Sequence, residues 1–299
     1  MTATQSDIDI QELQKTISHW LQARLDTDAV QWLKEQDEQL SDEGEDWVFF
    51  TAFSAAPRHA GKSKLDMTDK EKKEANGIRT GWQPEYWSVD QLARLYLVLS
   101  IAEREKEAFL SLLEKTFISS DMSEGVALYQ MLPVLPYPGA LKKRAAEGIR
   151  SNISAVFDAV ALRNPYPADY MGEDGWNQVV LKALFVGSPL YLIQGIDRRS
   201  NKKLASMLRD YAHERWAADR SVSPELWRPV GPFAEGEVID DLGRVLDTAN
   251  KNKQYAALLA LSESPSPQAK ALTGQHQQLL REIEEQDITW DAIGRRAKQ

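Results

Sequence analysis

Apolar residues recur at three- and four-residue steps along most of the chain. Ile10, Leu13, Ile17, Trp20, Leu21 and Leu25 line one face of a 3.6-residue turn and predict an amphipathic helix. Thr27 stands where it would cap a second helix carrying Val30, Leu33 and Leu40. Asp46–Ala55 (DWVFFTAFSA) suits a strand or a buried helix by composition. Helix is the better choice because no partner strand occurs elsewhere. Residues 57–83 are the least periodic, are charged and hold Gly61, Gly77 and Gly81, so they read as a long loop with at most a short helix. Ser88 caps a helix rich in Leu92, Leu95, Tyr96 and Leu99 that extends to Phe117. Asp121 or Ser123 starts the next, which stops at Pro133. Tyr137–Pro138 opens another, running to Arg163 with weak points at Gly139 and Gly148. Asn164-Pro165-Tyr166-Pro167 is turn chemistry. Further helices are expected at 174–186, 188–194, 201–218, 223–228, 236–249, 252–262, 267–286 and 289–297.

These elements imply an all-α fold class. Gln254–Leu272 (QYAALLALSESPSPQAKAL) places a Ser-Pro turn between two Ala/Leu helices. Small residues permit close helix contact, and Ser-Pro ends one helix while starting another. Stacked antiparallel helix pairs are therefore expected, as a HEAT-like right-handed α-solenoid or an irregular bundle. The expected organisation is N-terminal helices at 1–56, a charged loop at 57–87 and a helical array at 88–299 continuous with the first helices.

Composition narrows the chemistry. The 299 residues hold 36 Lys+Arg against 45 Asp+Glu, a net charge of -9. Nucleic acid is not an expected partner, because phosphate neutralisation needs a basic face. The absence of Cys removes disulfides, thiolate catalysis and Cys-ligated metal centres. The beginning, MTATQSDIDIQ, has no apolar run and does not read as a secretory leader. The longest uncharged stretches, Val126–Leu141 and Ala183–Ile196, are interrupted by Pro or Gly and fall short of the ~18 apolar residues that span a bilayer. A cytoplasmic protein with no cofactor is expected.

Short motifs add little. Ala56–Ser63 (APRHAGKS) fits a relaxed phosphate-loop pattern, but the residues after it offer no apolar face to pack on a sheet. His213 lacks the second His of a zinc helix, and Asp240-Asp241 is followed by Arg244 rather than a third acid. No nucleophile elbow occurs.

Helical-wheel arithmetic says more. In 201–218, Arg215 falls within the face of Leu204, Leu208, Tyr211 and Ala212. A buried guanidinium needs an acidic or carbonyl partner, with Asp197, Asp169 and Asp174 as the acids on offer. Asp210 and His213 share the opposite, polar face. Helix 176–186 is apolar almost all round apart from Asn177 and a stripe of Gln178 and Lys182, so it is expected to be central, with Lys182 snorkelling or paired. Between Asp197 and Arg228 eight basic residues, including Arg198 and Arg199, outnumber five acidic ones. That locally basic patch suits an anionic metabolite or transient membrane-surface contact, although a solvated polar face is the commoner meaning of such a pattern. Trp176, Trp216 and Trp227 would pack in the core or wall an apolar site.

The strings NPYPADY, WNQVVLKALFVGSPLYLIQGIDRR and LASMLRDYAHERWAADRSVSPELWRPVGPF closely resemble the EboA family. The fragments GWQPEYWSVDQLARLYLVLS, PYPGALKKRAAEGIRSNISAVFDAVALRNPYP and AALLALSESPSPQAKAL resemble it too, as does FSAAPRHAGK. The resemblance implies movement of metabolites or their precursors across or toward a membrane. It also implies association with clusters encoding a membrane prenyltransferase and hydrolase- or isomerase-like enzymes. It carries over no catalytic residues. The expectation is a non-enzymatic helical adaptor or carrier for a metabolite, prenylated or a precursor. Its expected binding residues are Gln178, Lys182, Arg198, Arg199, Asp210, His213, Arg215 and Trp216. The partners would be that small molecule and enzymes of the same pathway. Two alternatives stand beside it: an enzyme on an isoprenoid or aromatic precursor with His213 and Asp210 as acid and base, and a pure protein–protein scaffold.

Overall fold

The computed structural model describes residues 8–41 and 45–297. The start of the chain up to residue 7, where no secretory leader is expected, lies outside the described residues. Among the described residues the regular structure is helical, with 17 α-helices, several short 3-10 turns and no β-strand. One isolated bridge joins Lys64 to Ser88. No helix of the described residues is long and apolar enough to cross a membrane. The chain divides into two compact units, Met1–Tyr170 and Met171–Gln299.

The first unit contains α1 (Ile10–Gln22), α2 (Thr27–Ser41), α3 (Asp46–Ala60), α4 (Asp69–Ile78), α5 (Val89–Ser100), α6 (Lys106–Ser119), α7 (Met122–Met131), α8 (Lys142–Arg150), α9 (Ser154–Ala161) and α10 (Tyr166–Tyr170). Helix α1 buries Leu13, Ile17, Trp20 and Leu21, the stripe its spacing predicts. The cap of α2 is Asp26, whose carboxylate accepts from the Ala29 N–H at 2.8 Å, so Thr27 is the first helical residue and not the cap. The centre of this unit is α5, buried on nearly every side and packed by α1, α2, α3 and α7.

Pro57 lies inside α3 and has no N–H to give the Phe53 carbonyl four residues back. Buried Arg94 of α5 donates its Nε–H to that carbonyl at 3.2 Å and pairs with Asp90 at 2.7 Å. Expected loop 57–83 thus contains the end of α3 and all of α4. The APRHAGKS motif forms no phosphate loop. Its first half is helix, Gly61 ends it at φ 70°, and the Ser63 carbonyl accepts from Val89 N–H.

Arg24, just after α1, pins the link between α3 and α4. It donates to the carbonyls of Trp20, Leu65 and Asp66 and grips both oxygens of Glu71 at 2.8 Å. Glu71 in turn closes a capping box with Thr68 at the start of α4.

Two long helices expected from periodicity are broken. The run from Ser88 to Phe117 is split between α5 and α6, and the run from Pro138 to Arg163 between α8 and α9. The second unit contains α11 (Glu173–Val186), α12 (Lys202–Ala217), α13 (Glu237–Leu246), α14 (Lys251–Glu263), α15 (Pro267–Gln275), α16 (Gln277–Glu285) and α17 (Trp290–Ala297). The stretches 188–194 and 223–228 are only 3-10 turns, and 267–286 is divided at His276.

Helix α11 is not the central one. It buries Trp176, Asn177, Val179, Val180 and Ala183 but leaves Phe185 76% exposed. The centre is α14, packed by α13, α15, α16 and α17. Its alanines allow the chain at Gly231 to come within van der Waals contact of Ala260.

Candidate functional site

Helices α11 and α12 are joined side by side through amides. Asn201 caps α12 by accepting from Leu204 N–H at 2.8 Å, and its own amide donates to Asn177 Oδ1 of α11 at 2.9 Å. Buried Asn177 is the partner that makes this cap rigid. All eight expected residues lie on these two helices or on the link between them, and Trp216 ends the row one residue before the end of α12.

The structure separates those residues into distinct settings. Gln178 and Asp210 are exposed. Lys182 is half-buried, and burial pushes its ammonium below the usual lysine range. Arg199 donates from both terminal nitrogens to the Met171 carbonyl at 3.1 Å and lies over the Trp176 ring, whereas Arg198 is exposed.

Arg215 does find an oxygen partner, the Ser221 carbonyl at 2.8 and 3.1 Å. None of the three acids offered from sequence supplies it. Asp197 pairs with Arg228, Asp174 with Lys203 and Asp169 with Arg79. The guanidinium therefore ties the end of α12 to the loop before the 3-10 turn Pro224–Trp227.

His213 does not pair with Asp210. Its Nε2 lies 2.9 Å from Asp241 Oδ2 of α13, and Arg209 donates to the same oxygen at 2.7 Å and to Glu237 at 2.7 Å. Hydrogen bonding to Asp241, then to Glu237, holds Arg209 more firmly protonated than usual. Trp216 meets His213 edge-on at 5.3 Å, stacks on buried Trp227 at 5.9 Å and lies beneath the Arg244 guanidinium at 4.3 Å. Acid, imidazole, guanidinium and indole thus share one α12–α13 face. The metal motif to which Asp241 was compared could not reveal this role. A different signal was present: an acid on the apolar stripe of Val238, Leu242 and Val245 must find a cation.

A cleft of about 440 Å³ opens at the loop after α12, within the ~300–1,000 Å³ usual for small-molecule sites. Leu184, Pro189, Val222 and Pro224 supply apolar lining, Lys253 and Arg296 supply positive charge, and Glu225, which accepts from Tyr191 N–H at 2.6 Å, supplies one negative charge. Lys253 Nζ donates to Ser221 Oγ at 3.0 Å. Asn252 donates to the Ile293 carbonyl, while its Oδ1 is buried with no hydrogen-bond partner among the described residues. None of the eight expected residues lines this cleft, but Arg215 holds one of its walls through Ser221. Among the described residues no group of three or more His, Asp or Glu side chains is disposed to hold a metal ion.

The model of a protein family described as metabolite traffic protein EboA matches residues 13–231. The chain belongs to the EboA family. The match includes all eight expected residues and ends before α13, so Asp241, Lys253 and Arg296 lie beyond the stretch that defines EboA membership here. Neither the curated proteins nor the solved structures yield a match to this chain.

Proposed function

We propose that this chain is a non-catalytic helical carrier or adaptor in metabolite traffic that takes a small molecule in the cleft of its second unit. The observation that carries the reading is the lining of that cleft, which combines apolar residues with two cations, Lys253 and Arg296, against one acid, Glu225. An anionic group would meet the two cations, and a short hydrocarbon tail would cover Leu184, Pro189 and Val222. That profile suits a prenylated metabolite or its isoprenoid precursor, handed between pathway enzymes, a membrane prenyltransferase among them. In this reading the protein works in the cytoplasm and touches the membrane surface only transiently. The consecutive packing of α13, α14 and α15 supports stacked, HEAT-like pairs in this unit.

The test is calorimetric titration of the full chain with geranyl diphosphate, followed by mass spectrometry of the mixture. Binding without turnover, weakened about tenfold by Lys253→Ala with Arg296→Ala, is expected. Turnover that vanishes in His213→Ala would overturn the carrier reading. That second reading is favoured by one contact, because His213 held by Asp241 at 2.9 Å is a base with its orienting carboxylate. Co-purification with pathway enzymes that no metabolite alters would instead support a scaffold.

A further inference from the structure

A cleft of about 510 Å³ lies between α3, α6 and α7 of the first unit, within the ~300–1,000 Å³ usual for small-molecule sites. Half-buried Phe50 and buried Phe53 supply its aromatic lining. Its polar lining consists of acceptors, with one exception. Thr116 spends its hydroxyl proton on the Leu112 carbonyl at 2.7 Å, and exposed Ser119 spends its own on the Lys115 carbonyl at 3.0 Å. Ser54 donates to Glu124 Oε1 at 2.6 Å. A hydroxyl whose proton is committed offers only oxygen lone pairs to a further partner. The exception is Lys115, whose ammonium is held by Asp46 at 2.7 Å.

Glu124 is 9% exposed and lines the cleft beside exposed Ser54. Its second oxygen accepts from Asp121 N–H at 3.0 Å and so closes the capping box of α7. Both of these partners are neutral donors, and no cation pairs with Glu124 or with Asp121 among the described residues. The start of α7 supplies about half a positive charge, which two carboxylates outweigh. Buried Arg94, which lies against the Phe53 ring, is taken by Asp90. A buried carboxylate without a counter-ion is costly. It has about four acceptor sites, and its two donors leave the others open. The cleft therefore asks for a cation that carries N–H donors and an apolar body, whereas an anion would face Glu124 and hydroxyls with no proton to give.

We propose that this cleft binds a primary ammonium carried on an aromatic or short hydrocarbon body. The ammonium donates to Glu124 and to the Ser119 oxygen, and the apolar body packs on Phe50 and Phe53. The second-unit cleft favours the opposite charge, so the two sites select different ligands. The test of this one reads neither geranyl diphosphate nor turnover.

Ligand-observed NMR titration of the full chain at neutral pH uses three probes of nearly equal shape: phenethylamine, phenethyl alcohol and hydrocinnamate. The amine is expected to bind about tenfold more tightly than the alcohol, the difference a charge-assisted hydrogen bond supplies, and the carboxylate is expected not to saturate. Glu124→Gln, which keeps the shape and an acceptor, should bring amine and alcohol to equal affinity. Lys115→Met, a change at an exposed position, removes the like charge and should tighten the amine about threefold while leaving the alcohol unchanged. The proposal is overturned if no probe shows saturable binding, or if amine and alcohol bind the wild-type chain alike. It is equally overturned if a folded Glu124→Gln chain keeps the preference for the amine. Should that variant fail to fold, an amine affinity that Lys115→Met leaves unchanged overturns it.

Discussion

Glu71→Gln removes the charge that Arg24 grips. The carboxylate accepts from Arg24 on both oxygens and from the backbone and hydroxyl of Thr68. Hydrogen bonding from Arg24, ahead of that from Thr68, holds its pKa at about 2 instead of 4.5. At about 1.36 kcal/mol per pKa unit, that difference corresponds to roughly 3 kcal/mol. The side chains of the pair are 13% and 12% exposed, and allowing for residual solvent screening leaves about 2 kcal/mol. A depressed carboxylate pKa contributes stability above the unfolded value, and that contribution fades as pH falls from about 4.5 toward 2. The variant should therefore be less stable by about 2 kcal/mol at pH 7, with the gap closing through that acid window as the wild-type carboxyl also becomes protonated. Hydrogen-exchange mass spectrometry of the α4 peptide, run across this pH range for both proteins, reads the effect locally. A gap that stays constant with pH, or a variant whose α4 exchanges like the wild type at neutral pH, would refute the reasoning.

Two further substitutions test the packing. Gly231→Ala would place a methyl 2.8 Å from the Ala260 Cα and 2.9 Å from its carbonyl oxygen. Since backbone cannot step aside, urea unfolding should register a loss of about 2 kcal/mol, and an unchanged midpoint would disprove the close approach. Asn164→Ala deletes three buried hydrogen bonds and should cost about 3 kcal/mol, while Asn164→Asp, which turns a second carboxylate oxygen toward the Tyr129 and Ala159 carbonyls in place of the donor, should cost at least as much by the same assay.

Most helices were legible because their apolar stripes are regular. The stripe of α1 and the extents of α11, α12 and α14 follow from spacing and capping residues alone, and of the two starts that the sequence offered for α7, Asp121 and Ser123, the structure takes Asp121. The interruption between α5 and α6 was not legible. Ile101-Ala102-Glu103-Arg104-Glu105 contains only acceptable helix formers, and the chain breaks there while Gln11 holds Glu103 and Asp46 approaches Arg104. Tertiary partners overrode propensity. Arg94 was unforeseeable in the same way, because it answers a carbonyl freed by a proline on another helix. At the candidate site the wheel correctly demanded an oxygen partner for Arg215 but could not choose a carbonyl over three acids. The cleft itself draws on residues near 184, 221, 250 and 296. No pattern along one helix can show that such distant segments converge.

Arg24 and the pairing of 63–65 with 87–89 have a consequence for proteolysis. Lys62 and Lys64 expose their side chains and would mark this stretch as an obvious tryptic target. Yet Leu65 N–H is committed to Trp87, and the Ser63, Leu65 and Asp66 carbonyls are all occupied. A protease must draw several residues into an extended strand before it can cut. Lysines offered to solvent on a backbone already tied down should survive digestion long after lysines in slack chain have been cut.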